Sequence, residues 1–202
     1  MHRPSVNVSR IRRALAAPPG GSSDFELSPG WARLGPRPLR PASVLVPLIE
    51  RGPGLNVILT RRAALLKHHP GQVAFPGGKR EPGDATALDA ALREAHEEIG
   101  LEPSTVEILG RLDLHETVTD FHVSPFVGLV APGFVPVLDR AEVEEVFEVP
   151  LAFVLEPRSL QVQSRRWQGE ERSYYVLPYG PHYIWGATAR MLKTLADRMQ
   201  GP

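Results

Sequence analysis

A chain of 202 residues can bury one ordinary hydrophobic core without staples, and its lack of cysteine excludes disulfides, thiolate metal sites and a cysteine nucleophile. Twenty-three basic residues balance 23 acidic ones, so no overall field draws the protein to nucleic acid or an anionic membrane, and any ligand must be held locally. No apolar run approaches the roughly 18 residues that cross a bilayer, and the first residues lack the apolar stretch of a secretory signal, so a cytoplasmic protein is expected.

Residues 1–42 read as a basic, loop-rich N-terminal extension. SVNVSRIRRALAAPPGG offers one short amphipathic helix, stopped by Pro18, Pro19 and two glycines and expected to be solvated. SPGWARLGPRPLRPA is too punctuated for a regular element. Residues 43–202 read as the functional domain. SVLVPLI and LNVILT are short β-branched runs around ERGPG, a hairpin pattern, and QVAFPGG adds a further strand. ATALDAALREAHEEIG predicts a helix over 85–99, capped by Gly100. VEILGRLDL and HVSPFVGLV predict strands, and EVEEVFEVPLAFVL predicts a helix with an acidic start, broken at Pro150. SRRWQGEERSYYVLP reads as two strands about a Gln-Gly turn. HYIWGATARMLKTLADRMQ reads as a terminal helix with Ile184, Trp185, Thr188, Leu192, Leu195 and Met199 on one face. Strands outnumber helices in mixed order, which makes the class α+β or an α/β sandwich rather than a doubly wound sheet.

The helix at 85–99 carries the chemistry. At about 100° per residue, Leu88, Ala91, Leu92, Ala95 and Ile99 form one apolar face, and Glu94, Glu97 and Glu98 share an arc of about 100° beside it. Glu94 and Glu98 form a like-charge i,i+4 pair without a basic partner one turn away. Glu97 and Glu98 also lie in the last turn, where the helix dipole disfavours anions by about 0.3–1 kcal/mol each. Only Glu97 gains local relief, from Arg93. An oxygen-ligated dication would make the cluster favourable; a solvated acidic face is the alternative. Upstream, Gly77 and Gly78 follow a strand where backbone could approach a ligand without side-chain obstruction. GxxxxGK[ST], GxGxxG and GxSxG are all absent.

The run GKREPGDATALDAALREAHEEIGL at 78–101 resembles the Nudix box: Gly, five residues, Glu, seven residues, then Arg-Glu-aliphatic-x-Glu-Glu-x-Gly-aliphatic. REAHEEIGL matches that ending throughout. The early acid is Asp84 instead of Glu, and eight residues separate it from Arg93. ILTRRAALLKHHPGQVAFPGG at 58–78 and YIWGATARML at 183–192 are similar to the coenzyme A pyrophosphatase branch of that family, with Ala63 and Ala64 at usual serines and Lys67 at a usual arginine.

The resemblance implies a Nudix-type α/β/α sandwich around a mixed β-sheet. It implies Mg²⁺ or Mn²⁺ on Glu94, Glu97, Glu98 and the Gly78 carbonyl, oriented by Arg93, as the catalytic set. Arg61, Arg62, Lys67, Gly77, Gly78 and Lys79 would meet a small nucleotide substrate, coenzyme A-like, cleaved to 3′,5′-ADP and 4′-phosphopantetheine. A further glutamate would act as base, from the box or from Glu142, Glu144 or Glu145. Two rival readings stay open: the same chemistry on ADP-ribose or a dinucleotide, and a non-catalytic nucleotide-sensing module.

Overall fold

The computed structural model describes residues 7–28, 38–167 and 169–201. In chain order these form α1 (Val8–Leu15), β1 (Gly21–Ser23), β2 (Arg40–Arg51), β3 (Gly54–Arg62), β4 (Val73–Ala74), β5 (Gly77–Lys79), α2 (Ala87–Ile99), β6 (Val106–Arg111), β7 (Leu114–Glu116) and β8 (Phe121–Val130). There follow β9 (Val143–Pro150), α3 (Leu151–Val154), β10 (Gln161–Trp167), β11 (Glu170–Tyr179), β12 (His182–Trp185) and α4 (Gly186–Gln200). Among the described residues, no helix is long and apolar enough to cross a membrane.

The main sheet is mixed and is organised around β2. β2 pairs antiparallel with β3, as the hairpin pattern requires, antiparallel with β5, and parallel with β8. β9 and β4 pair antiparallel with β3; β6 and β7 pair antiparallel with β8; and β1 adds in parallel to β7. A second sheet, β10-β11-β12, is antiparallel throughout.

Side-chain alternation along β2 and β3 builds both cores at once. Leu45, Ile49 and Ile58 meet Ala91, Ala95 and Ile99 of α2 on one side. Val46, Leu48, Val57 and Leu59 meet Leu177 and Ile184 of the second sheet and Leu192 and Leu195 of α4 on the other. Buried on both faces, these strands read as continuous apolar runs. The architecture is thus the expected α+β sandwich: a mixed sheet with α2 on one face and α1, α4 and the second sheet on the other.

Two element expectations are corrected. Val143–Pro150 is a strand, not a helix start, because Val143 and Val149 are buried in opposite layers and its β-branched and aromatic residues suit a ladder beside β3. Helix appears only after Pro150, as the single turn α3. Similarly, His182–Trp185 is strand β12, so Ile184 and Trp185 do not belong to the terminal helix; Gly186, at φ 61°, breaks the strand and opens α4. Thr188, Leu192, Leu195 and Met199 are buried on α4 as expected. Gln168 of the expected Gln-Gly turn and residues 29–37 lie outside the described residues.

The N-terminal helix forms, capped by the Asn7 side chain accepting from the Arg10 amide. It is not solvated all round: Ile11 is fully buried and Leu15 nearly so, both in the larger core. Downstream, a buried polar chain fastens the segment. Ser22 Oγ lies 2.8 Å from His115 Nδ1, and His115 Nε2 lies 3.1 Å from Asp24 Oδ1. The Val118 amide donates to Asp24 Oδ2 at 3.0 Å, and Arg172 stands 3.6 Å from the same oxygen. Although the types are serine, histidine and aspartate, Ser22 and His115 are buried, so the chain is a structural fastening without substrate access. Burial alone would raise the Asp24 carboxyl, but the hydrogen bond and charge of His115, the Val118 amide and Arg172 together hold it below the usual carboxylate range.

A carboxyl lowered by folding stabilises the protein above its unfolded pKa, and that contribution is lost as pH falls through its lower folded value. Asp24→Asn should therefore cost about 1–3 kcal/mol near pH 7, leaving His115 and Arg172 without their acceptor. In urea titrations from pH 7 to pH 3, the gap from wild type should narrow below about pH 4. A gap constant down to pH 3 would contradict this account.

Candidate active site

Helix α2 is fixed at both ends, and this sets where its glutamates point. At its start, the Thr86 side chain accepts from the Asp89 amide at 3.2 Å and Asp89 Oδ2 accepts from the Thr86 amide at 2.8 Å, a reciprocal capping box. At its end, Gly100 takes a left-handed conformation at φ 67° and donates to His96 O. Glu97 and Glu98 therefore occupy the last turn, on the unfavourable end of the dipole.

The glycine pair brings β5 against both β2 and this helix. At Gly77, φ is 155°, and an added Cβ would stand 2.7 Å from Val44 Cα and closer still to the Ser43 carbonyl. At Gly78, an added Cβ would lie 2.5 Å from Glu94 Cδ. Glycine is required at Gly77, where backbone meets backbone; at Gly78 it leaves room for the Glu94 carboxylate. The loop and the acidic helix thus meet at one place.

Glu98 lies at its centre, 2% exposed. Its Oε2 has no hydrogen-bond partner, and its Oε1 stands 3.7 Å from Arg62 Nη1, beyond hydrogen-bond range. Burial pushes the Glu98 carboxyl up to about 8; the charges of Glu94 and Glu142 push the same way, opposed by Arg62 and the Gly77 amide. Burial likewise raises Glu94, opposed by Arg93 and reinforced by Glu97 and Glu142. Glu142 thus acts on both box glutamates, its backbone held at the end of β3 by the Ala63 amide donating to Glu142 O at 2.8 Å.

Arg93 braces the arrangement. Its Nε and Nη2 reach Asp84 at 3.0 and 3.1 Å, its Nη1 reaches Glu94 at 3.1 Å and Glu97 at 2.8 Å, and Nη2 also donates to the Lys79 carbonyl. The Asp84 hydrogen bonds, then Glu94 and Glu97, raise the guanidinium further above its usual range, and the same bonds lower Asp84. Asp84, the acid at the early box position, is the anchor of Arg93 despite the extra residue between them. Ser43, opposite Gly78 in the β2–β5 ladder and buried with an unpartnered hydroxyl, gave no sequence signal at all.

The expected residues are sorted as follows. Glu94 and Glu98 lie at the centre, and the exposed Glu142 acts on both through its charge. Glu97 diverges to the rim, 56% exposed and bound to Arg93. Glu144 and Glu145 instead pair with Arg61, at 3.2 and 3.0 Å. Arg62 faces Glu98, whereas Lys67 and Lys79 are exposed. Among the described residues, no three acidic or imidazole side chains already stand as a cation cage.

The donor set nevertheless suits a hard dication. Carboxylate oxygens and a glycine carbonyl are oxygen ligands, and Glu98 Oε2 is a buried acceptor that no group among the described residues satisfies. A carboxylate helix behind a glycine pair, on a mixed sheet between helical layers, is the arrangement that the Nudix resemblance implies. Comparison with known proteins agrees: the NUDIX domain pattern matches residues 39–171. The chain is 41% identical over 158 residues to the uncharacterized Nudix hydrolase NudL of Enterobacter sp. (strain 638), covering 78% of this chain and 81% of that protein. It is 37% identical over 193 residues to the uncharacterized Nudix hydrolase NudL of Photorhabdus laumondii, covering 96% of each. The crystal structure of DR0079 from Deinococcus radiodurans shares the fold, with a TM-score of 0.51 at 16% identity over 82% of this chain and 90% of that one. This chain belongs to the Nudix hydrolase family.

Gly78→Ala tests the meeting of loop and helix. The Cβ would displace the end of a flexible Glu94 side chain and no backbone, so the melting temperature should stay within a few degrees while turnover falls about tenfold or more. Unchanged turnover in a folded variant would show that the contact is incidental.

Proposed function

We propose that the protein is a Mg²⁺- or Mn²⁺-dependent pyrophosphohydrolase whose substrate is coenzyme A or a derivative, cleaved to 3′,5′-ADP and 4′-phosphopantetheine. The observation that carries the reading is Glu98: a buried carboxyl with one free oxygen, beside Glu94 and Glu142 and behind Gly77 and Gly78. Glu94, Glu98 and the Gly78 carbonyl, with Glu97 from the rim, would hold the cation. When bound, it would offset the negative charge of the pyrophosphate and acidify a water.

The chain's own residues do the rest. Arg93, pinned by Asp84, keeps Glu94 and Glu97 from splaying. Water adds to one phosphorus, the bridging phosphorus–oxygen bond breaks, and a carboxylate accepts the water's proton. Glu142 and the box glutamates are the candidates for that base, because Glu144 and Glu145 are engaged by Arg61. Support for coenzyme A comes from the 58–78 segment, which resembles the coenzyme A pyrophosphatase branch. Its end Gly78 adjoins Glu94, and near its start Arg62 adjoins Glu98. Lys67 and Lys79 lie exposed on the flanks, free to meet phosphate groups.

A substrate panel with and without Mg²⁺, its products resolved by phosphorus NMR, should show coenzyme A as the preferred substrate and no cleavage in the absence of the cation. Preferred cleavage of ADP-ribose would overturn the coenzyme A assignment, and cleavage of nothing would favour a nucleotide sensor. Glu98→Gln should lower turnover by about 10²–10⁴-fold. Because burial keeps the Glu98 carboxyl protonated near neutral pH, an isosteric amide should leave the metal-free melting temperature unchanged or raised. A lower melting temperature would mean that Glu98 serves the fold.

A further inference from the structure

The chain between β8 and β9 is fastened to the end of α2. An α-helix leaves its last carbonyls without partners inside the helix. Here Gly100 donates to His96 O at 2.9 Å and Leu101 to Ala95 O at 3.3 Å, and the next carbonyls are met from outside: the Val137 amide donates to Ile99 O at 2.9 Å and the Asp139 amide to Glu98 O at 3.0 Å. The segment is thus bonded to the very turn that carries Glu97 and Glu98.

At Asp139 the chain turns. Its Oδ1 accepts from the Ala141 amide at 2.9 Å, the local bond by which an aspartate imitates a backbone turn. Its carbonyl accepts from the Glu142 amide at 3.0 Å and from the Val143 amide, where β9 begins, at 2.8 Å. One residue therefore bonds Glu98 through its N–H, the turn through its side chain and Glu142 through its carbonyl. Glu142 completes the bridge, its own carbonyl accepting from the Ala63 amide just past β3 at 2.8 Å.

The Glu142 carboxylate has no such fastening. It is exposed, and among the described residues no hydrogen bond or ion pair holds it, yet its charge acts on both Glu94 and Glu98. Its place beside two other carboxylates is set by the backbone from which it pivots, and that backbone is held through Asp139.

We infer that Asp139 is a positioning residue that acts through Glu142, tying the backbone of this glutamate to the turn of α2 that carries Glu98. Of the candidate bases, Glu142 alone is neither a proposed cation ligand nor engaged by Arg61. Asp139 would then set how closely the proton acceptor approaches the attacking water. The inference rests on the proposed pyrophosphate hydrolysis and deepens it, and is independent of which nucleotide is cleaved.

The test is a double-mutant cycle on steady-state kinetics of the full chain with Mg²⁺, using whichever nucleoside diphosphate derivative the wild type cleaves best. Glu142→Gln should lower kcat about a hundredfold or more. Asp139→Ala should lower kcat about tenfold with KM within about twofold, because a small misplacement of a reacting group is felt in the chemical step. Asp139→Asn, which keeps the Oδ1 acceptor, should stay within about threefold of wild type. In the Glu142→Gln background, Asp139→Ala should add less than about twofold, since a positioning residue has nothing left to position. A loss that multiplies in the double variant, wild-type kcat in Asp139→Ala or in Glu142→Gln, or an Asp139→Asn as impaired as Asp139→Ala, overturns the inference and leaves the hydrolysis standing. Should Asp139→Ala fail to fold, Asp139→Glu, which keeps the charge but is too long for the turn, replaces it in the cycle under the same criteria. A wild type that cleaves no such substrate overturns the proposed function and this role together.

Discussion

The site depends on one unfavourable burial. Glu98 is enclosed between α2 and the main sheet with a single basic neighbour, too far for a hydrogen bond, and with two further carboxylates acting on it. Burying a charge without a close partner costs several kcal/mol, and a protein ordinarily avoids the cost by using an apolar residue or by letting the carboxyl stay protonated. Here the Glu98 carboxyl, pushed up to about 8, takes the second course near neutral pH, and its neighbours add to the push. The helix dipole runs the wrong way, Glu94 sits one turn back, and Glu142, whose backbone accepts from the Ala63 amide just past β3, adds its charge. A dication held by these oxygens would offset the crowding, as the proposed function requires.

Everything around the centre serves to keep it from relaxing. The capping box and Gly100 fix the two ends of α2; Gly77 and Gly78 let a strand come close to β2 and to Glu94; and Asp84 holds Arg93 so that its remaining donors are available to Glu94 and Glu97. The guanidinium is shared among three carboxylates, which neutralises the rim without reaching the core of the cluster. Glu97, although it lies in the same helical arc, stands exposed at the rim on Arg93, Glu94 shares that guanidinium, and Glu98 alone of the three lies beyond its reach.

Much of this was legible in the sequence, for identifiable reasons. The helix could be read because a capping residue, an apolar stripe and a terminal glycine all agree with a period of 3.6, and the crowding of its glutamates follows from spacing alone. The hairpin could be read because two β-branched runs flank a turn. What escaped reading was decided by tertiary context. In Val143–Pro150 three acids suggested a helix start, yet Arg61 takes up two of the glutamates and Arg51 with Asn56 takes up Glu148, so the segment is a strand. His182–Trp185 has a pattern continuous with the helix beyond it, and only the backbone of Gly186 separates the two. Nor could sequence separate Arg61 from Arg62, identical neighbours whose different environments follow from a register shift in a partner strand more than 80 residues away.

The central claim is that Glu94 and Glu98 form a cation site. It is met most directly by thermal melting of the wild type and of a Glu94→Gln/Glu98→Gln double variant, each with and without MnCl₂. A ligand that binds only the folded state stabilises it by about 2.7 kcal/mol at a hundredfold excess over its dissociation constant. The wild type should therefore melt several degrees higher with Mn²⁺, and the double variant should melt at one temperature in both conditions. An equal rise in both proteins, or none in the wild type, would place the cation elsewhere and leave the burial of Glu98 without a function.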